Sequence, residues 1–220
     1  MAVAITQTSN PTGVDSTANI TTYAAATCGT ESADRIIAVC IGKEVATVAA
    51  TSVTLGGESM VLANGTTFVN MGAWIYWKNF PTGTTATVAV TWDGSIFGTE
   101  NHIALYAITD GAAPPEAGAD GSGDIDATDP LTTGTSTIAT GGGMLAIAAC
   151  GTDTTTKTWA NLTGDINADA GLFRFQTAMS TTAGSAVRTC TGSTNSEDGA
   201  LAWVIFADSV LPPLNMPPGR

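Results

Sequence analysis

The chain is poor in the groups that carry chemistry. Its 220 residues include one histidine, seven lysines and arginines together, and four cysteines. The lone imidazole, His102, stands at the start of the apolar run Ile103–Ile108, where it reads as a structural residue rather than a general base. There is no Gly-x-Ser-x-Gly elbow, no P-loop and no Gly-x-Gly-x-x-Gly opening a helix. The framework glutamates Glu44, Glu58 and Glu100 show no spacing that pairs two carboxylates across a substrate, as glycoside hydrolysis requires. The reading is therefore non-enzymatic.

Other shortages exclude other classes. Net charge is −12 and no basic patch exists to neutralise phosphates, which argues against nucleic acid as a partner. No run approaches the roughly 18 apolar residues of a membrane span. The N-terminal Met1-Ala-Val-Ala-Ile-Thr-Gln-Thr lacks the basic and apolar regions of a secretory signal, so the expected product is soluble and made in a cytosol. Cys28, Cys40, Cys150 and Cys190 show no C-x-x-C spacing and no histidine neighbour, against zinc. Cys40 and Cys150 close similar apolar runs and read as small buried hydrophobes, with thiols expected unless the protein meets oxidising surroundings. Charged residues make up 12%, and the scarcity of Glu, Lys, Gln and Arg leaves little to build long helices.

What remains is rich in strand formers. There are 38 threonines, and 44% of residues are apolar. Threonine is β-branched and suits a pleated, half-buried surface. Short Thr/Val/Ile/aromatic runs bounded by Gly, Pro and Asn predict an all-β chain, a jelly-roll-like antiparallel sandwich of about ten to twelve strands. Edge strands are expected at Val3–Thr8 and Ile20–Thr27, and a hairpin around Gly56-Gly57. Asn64-Gly65 reads as a turn, and Pro81-Thr-Gly as the turn joining two strands between Gly72 and Trp92.

The second half also repeats the layout of the first. Arg35–Ile41, Gly72–Trp77, Ala86–Trp92 and Ile103–Asp110 are echoed by Met144–Cys150, Gly171–Phe175, Ala186–Thr191 and Leu201–Asp208. A period near 100 residues is too long for a solenoid and fits two matching strand sets in one sandwich. The organisation is read as an N-terminal arm with edge strands (1–33) and a sandwich (34–208). Its halves, 34–110 and 143–208, are joined by a surface loop, 111–142. A Pro-rich arm (209–220) follows.

Three features invite a binding role. The acidic stretch places Asp120, Asp124, Asp126 and Asp129 in a flexible loop, the weak outline of a calcium site without the closing glutamate of an EF-hand. Otherwise no cofactor is expected. Trp74, Tyr76, Phe173, Phe175 and Trp203 read as core, whereas Trp77, beside Lys78, is the aromatic best placed for an exposed contact. In the last segment Leu211, Leu214 and Met216 are apolar residues held extended by prolines, suited to lying in a neighbour's groove.

The succession of an apolar strand, the Val53-Thr-Leu-Gly-Gly hairpin, Ala73-Trp-Ile-Tyr-Trp, a Pro-Thr-Gly turn, Thr87-Val-Ala-Val-Thr-Trp and His102-Ile-Ala-Leu-Tyr-Ala-Ile resembles the β-sandwich virion proteins of tailed phages. The likeness spans roughly residues 34–208 and rests on pattern rather than an invariant motif. It implies a capsid-decoration, head-fibre or tail-associated protein, located in the virion and made in the host cytoplasm. It implies no active site, and it points to the major capsid protein or other virion proteins as partners, with a homo-oligomer, by preference a trimer. A carbohydrate-binding or adhesin module is the reading from another class.

Overall fold

Threonine- and valine-rich runs become strands throughout. The computed structural model describes residues 1–11, 14–17, 19–44, 48–94, 101–118, 121–125, 129–151, 157–169, 173–192 and 197–209, among which there is no helix. The first half holds β1 (Ala4–Ser9), β2 (Val14–Thr17), β3 (Ile20–Thr27), β4 (Ile36–Glu44), β5 (Ala50–Leu55), β6 (Glu58–Ser59), β7 (Val61–Phe68), β8 (Met71–Asn79), β9 (Thr85–Trp92) and β10 (Asn101–Thr109). The second holds β11 (Glu116–Ala117), β12 (Gly121–Ile125), β13 (Leu131–Ile138), β14 (Gly143–Gly151), β15 (Thr158–Ala160), β16 (Thr163–Asp169), β17 (Phe173–Ser180), β18 (Gly184–Thr191) and β19 (Glu197–Phe206). The strands outnumber the expected ten to twelve because each half supplies a set of eight, with β2, β6 and β11 beside them.

All pairings between these strands are antiparallel, and they form four sheets. The first half supplies an inner sheet in the order β1-β10-β4-β8-β7 and an outer sheet β2-β3-β9-β5-β6. The second supplies an inner sheet β11-β19-β14-β17-β16, with β12 also on β19, and an outer sheet β13-β18-β15. The repeat is thus real in strand order: β1, β3, β4, β5, β7, β8, β9 and β10 have the same neighbours as β12, β13, β14, β15, β16, β17, β18 and β19. Each half is a sandwich in its own right, and the two stand back to back through their inner sheets.

This stacking explains the burial of β4 and β14. A strand with one wet face alternates apolar and polar residues, but Ile36–Lys43 and Gly143–Cys150 are buried without interruption. Ile36, Ala38 and Cys40 enter a central core between the inner sheets, together with Tyr106, Leu145, Ile147, Phe173, Phe175 and Phe206. Ile37, Val39 and Ile41 face the other way, into a first-half core with Tyr23, Val88, Val90 and Trp92. Met144, Ala146, Ala148 and Cys150 likewise enter a second-half core with Leu131, Ile138, Cys190 and Trp203.

Three segments differ from the sequence reading, the first being Ile20–Thr27, which is not an edge strand because β3 lies between β2 and β9. Residues 111–142 are not simply a connecting surface loop, since they carry β11, β12 and β13, and Ile125, Leu131 and Ile138 are buried. The Gly, Asp and Thr residues there belong to one-sided strands whose few apolar side chains supply the second-half core. Asn64-Gly65 is not a turn but lies inside β7, next to a register shift between Leu62 and Asn64. Gly65 is required there because a Cβ would lie 2.2 Å from the Trp74 indole. The Gly56-Gly57 hairpin turn is as read, with φ of +61° and +84°, the left-handed values such turns demand.

Candidate functional site

Four cations, Arg35, Lys43, Lys157 and Arg188, are buried in the described structure. Arg35, fully buried at the head of β4, donates from Nε to Phe80 O (2.7 Å) and from its two terminal nitrogens to Cys28 O, Gly29 O, Thr30 O, Thr82 O and Gly83 O, at 2.7–3.1 Å. Its guanidinium also lies 5.5 Å from the Phe80 ring centroid. One cation thereby closes the end of the first sandwich, joining the β3–β4 and β8–β9 connections. Lys43, equally buried at the other end of β4, sits 4.4 Å from the Trp92 ring centroid, a cation–π contact in a dry setting.

The second half uses Arg188 and Lys157. Arg188 Nη1 donates to Ser136 O (2.9 Å) and Ser136 Oγ (2.6 Å), tying β18 to β13. Desolvation holds its pKa below the usual arginine value. Lys157 Nζ pairs with both carboxylate oxygens of Glu197 at 3.0 Å, and both side chains are almost fully buried. That ion pair borders a cavity of about 350 Å³ lined by Trp159, Gly164, Asp165, Ile166 and Gln176. A more open groove of about 410 Å³ runs past Asn161, Thr163, Ser180, Thr182, Ser185 and Arg188. The recess beside Trp159 is lined mostly by apolar surface, and the groove beside Arg188 by a mixture of polar and apolar groups.

The sequence-derived residues do not come together in one place. His102 packs its ring 4.8 Å from Phe175 and hydrogen-bonds Asn10, and burial lowers its pKa from 6.5. Glu58 is exposed and paired with Lys78 at 2.8 Å, which pulls its carboxyl down. Glu100 lies outside the described residues. So do Asp120 and Asp126 of the acidic stretch; the backbone of Asp124 pairs with Asp198 in β12, and Asp129 is exposed. Among the described residues no three His, Cys, Asp or Glu side chains gather as a metal site would need. Trp77 is half-buried against the central core, in register with Ala38 and Val61. Leu211, Leu214 and Met216 lie outside the described residues. The aromatics Trp74, Tyr76, Trp92, Phe173, Phe175 and Trp203 are core residues, and Trp74 meets Trp92 edge-on with centroids 6.0 Å apart.

Three polar clusters were invisible to sequence reasoning: the Arg35 hub, the Lys157–Glu197 pair and the Tyr106–Thr177 hydroxyl contact inside the central core. Each joins residues from distant segments, and no local spacing encodes it. The surface offers exposed apolar side chains at Val61 and Leu62 of β7, at Val69 and at Val187.

Fold and site together define an all-β protein of antiparallel sandwiches in which buried Arg35, Lys157 and Arg188 tie its own strands and loops together. No family model, no curated protein and no solved structure matches the chain.

Proposed function

We propose that this protein is a non-enzymatic structural component of a virion, decorating or stabilising the exterior of a phage capsid. The observation that carries the reading is the wrapped strand order found twice. Counting β1, β3, β4, β5, β7, β8, β9 and β10 as one to eight, and β12 to β19 likewise, the first strand lies beside the last, then the third, the sixth and the fifth, while the second, seventh and fourth form the facing sheet. This wrapping supports a jelly-roll-like reading, an architecture used by viral capsid and lectin domains, with the fifth strand moved to the edge of the first sheet. Two such units back to back make a rigid body that buries its inner faces and keeps rims and outer faces for contacts.

On this reading the partners are the major capsid protein or other virion proteins, and the assembly is a homo-oligomer, by preference a trimer. A tail or baseplate subunit is the neighbouring possibility within the same class. The lectin side of the same architecture keeps a carbohydrate-binding role as the second reading, favoured by the groove beside Arg188 and Thr182.

The test is electron microscopy of purified particles with this subunit labelled. The proposal expects label on the capsid exterior; label on the tail moves the protein to the sibling role. Absence of the chain from purified particles, with saturable glycan binding by the isolated protein, overturns the virion reading in favour of the lectin one.

A further inference from the structure

The three cores sort the four cysteines. Cys40 lies in the central core and Cys28 in the first-half core, on opposite sides of the first inner sheet, so these two cannot meet. Cys150 and Cys190 share the second-half core, and both are fully buried. They come from facing sheets. Cys150 stands on β14, paired with Gly199 and Arg174, while Cys190 stands on β18, paired with Leu131 and Trp159. Cys190 Sγ lies 3.9 Å from Gln176 Oε1 on β17, the strand beside β14, and the neighbouring Cys150 thiol, together with burial, pushes the Cys190 thiol up.

We propose that Cys150 and Cys190 are a disulfide-forming pair that locks the outer sheet of the second sandwich to its inner sheet when the protein meets an oxidising environment. A buried bridge between facing sheets is a known device for fastening a sandwich. The second-half outer sheet is the one that gains from it, being three strands against five in its first-half counterpart. Lys157 and Arg188 already tie its margins through polar contacts, and the bridge adds a covalent tie across the core.

The chemistry balances with a small-molecule disulfide such as oxidised glutathione. One protein thiol, as thiolate, attacks the glutathione sulfur and expels one glutathione thiolate. The second protein thiol, losing its proton, displaces the other glutathione from the mixed disulfide. Two protein thiols lose two protons and two electrons, and glutathione disulfide leaves as two thiols. Burial disfavours the thiolates in the closed fold, so exchange proceeds as the outer sheet docks during folding or when it opens locally. A reducing cytosol keeps the pair as thiols, and exposure outside the cell closes it.

The full-length protein is refolded in buffer containing oxidised glutathione and its thiols are counted in denaturant. The proposal expects the count to fall from four to two, and digestion to yield one cross-linked peptide pair joining Cys150 to Cys190. The Cys28→Ser/Cys40→Ser double variant gives the same cross-link, and a reductant reverses it. Four free thiols after refolding, or a cross-link through Cys28 or Cys40, overturns the proposal. The full-length protein and the double variant both leave the second-half core untouched, so the readout needs no substitution at Cys150 or Cys190.

Discussion

Arg35 has a cost that its neighbours must meet: a guanidinium removed from water. Six backbone carbonyls meet that cost by accepting from its guanidinium. Arg35→Met is expected to lower stability by at least about 3 kcal/mol in urea unfolding, because several carbonyls lose their donor at once. Arg35→Lys, with three donors on a point charge, falls between the two. His102 behaves oppositely, since the fold prefers it neutral. Its folded pKa lies below the unfolded 6.5, so the unfolded chain binds the proton more readily. The contribution from this group is intact above 6.5, and stability falls as pH drops through the interval between 6.5 and the lowered folded value. His102→Gln is expected to flatten the change in melting temperature between pH 7 and pH 5. In the sequence His102 was legible as a structural residue, but Arg35 looked like any charge before an apolar strand. Its role appears only when Cys28–Thr30 and Phe80–Gly83 meet around it.

The same contrast holds for elements. Hairpins and strands were legible wherever the residues encode them locally, as at Gly56-Gly57 and in β8 and β9. The face of a strand was harder to read, because comparing the halves one residue out of step moves every side chain to the other face. Trp74 and Phe173 match at an offset of 99 in sequence, yet Trp74 faces the first-half core and Phe173 the central one. Asn64-Gly65 shows the same limit. Its letters signal a turn, but Gly65 makes room for the Trp74 indole, and Asn64 Nδ2 donates across the halves to Trp203 O (2.8 Å) and Gly118 O (3.3 Å). Trp203 repeats the device, covering Gly118, where a Cβ would lie 1.9 Å from its ring. Gly65→Ala is expected to cost about 1–3 kcal/mol through overpacking of a buried indole. Asn64→Ala is expected to cost a similar amount, about 1–3 kcal/mol, by leaving the Trp203 carbonyl without its side-chain donor. Chemical denaturation of each variant measures both, and a change within about 0.5 kcal/mol, the range of ordinary surface substitutions, counts against this account.

At the scale of the molecule, the order of strands was legible and the number of layers was not. A threonine-rich strand with two or three apolar residues, such as β13, is hard to tell from a loop until another sheet covers it. The apolar runs of β4 and β14 carried the missing signal, since a strand buried on both faces belongs to an inner sheet. The stacked arrangement makes the central core the joint of the whole body. Backbone amide hydrogen exchange on the native protein, resolved by strand, tests it most directly. The account predicts that β4 and β14 are the slowest-exchanging strands, at similar rates, because both lie in inner sheets shielded on each side. Amides of β4 and β14 exchanging as fast as those of β3 and β13 in the outer sheets would contradict it, showing two sandwiches that do not share a core.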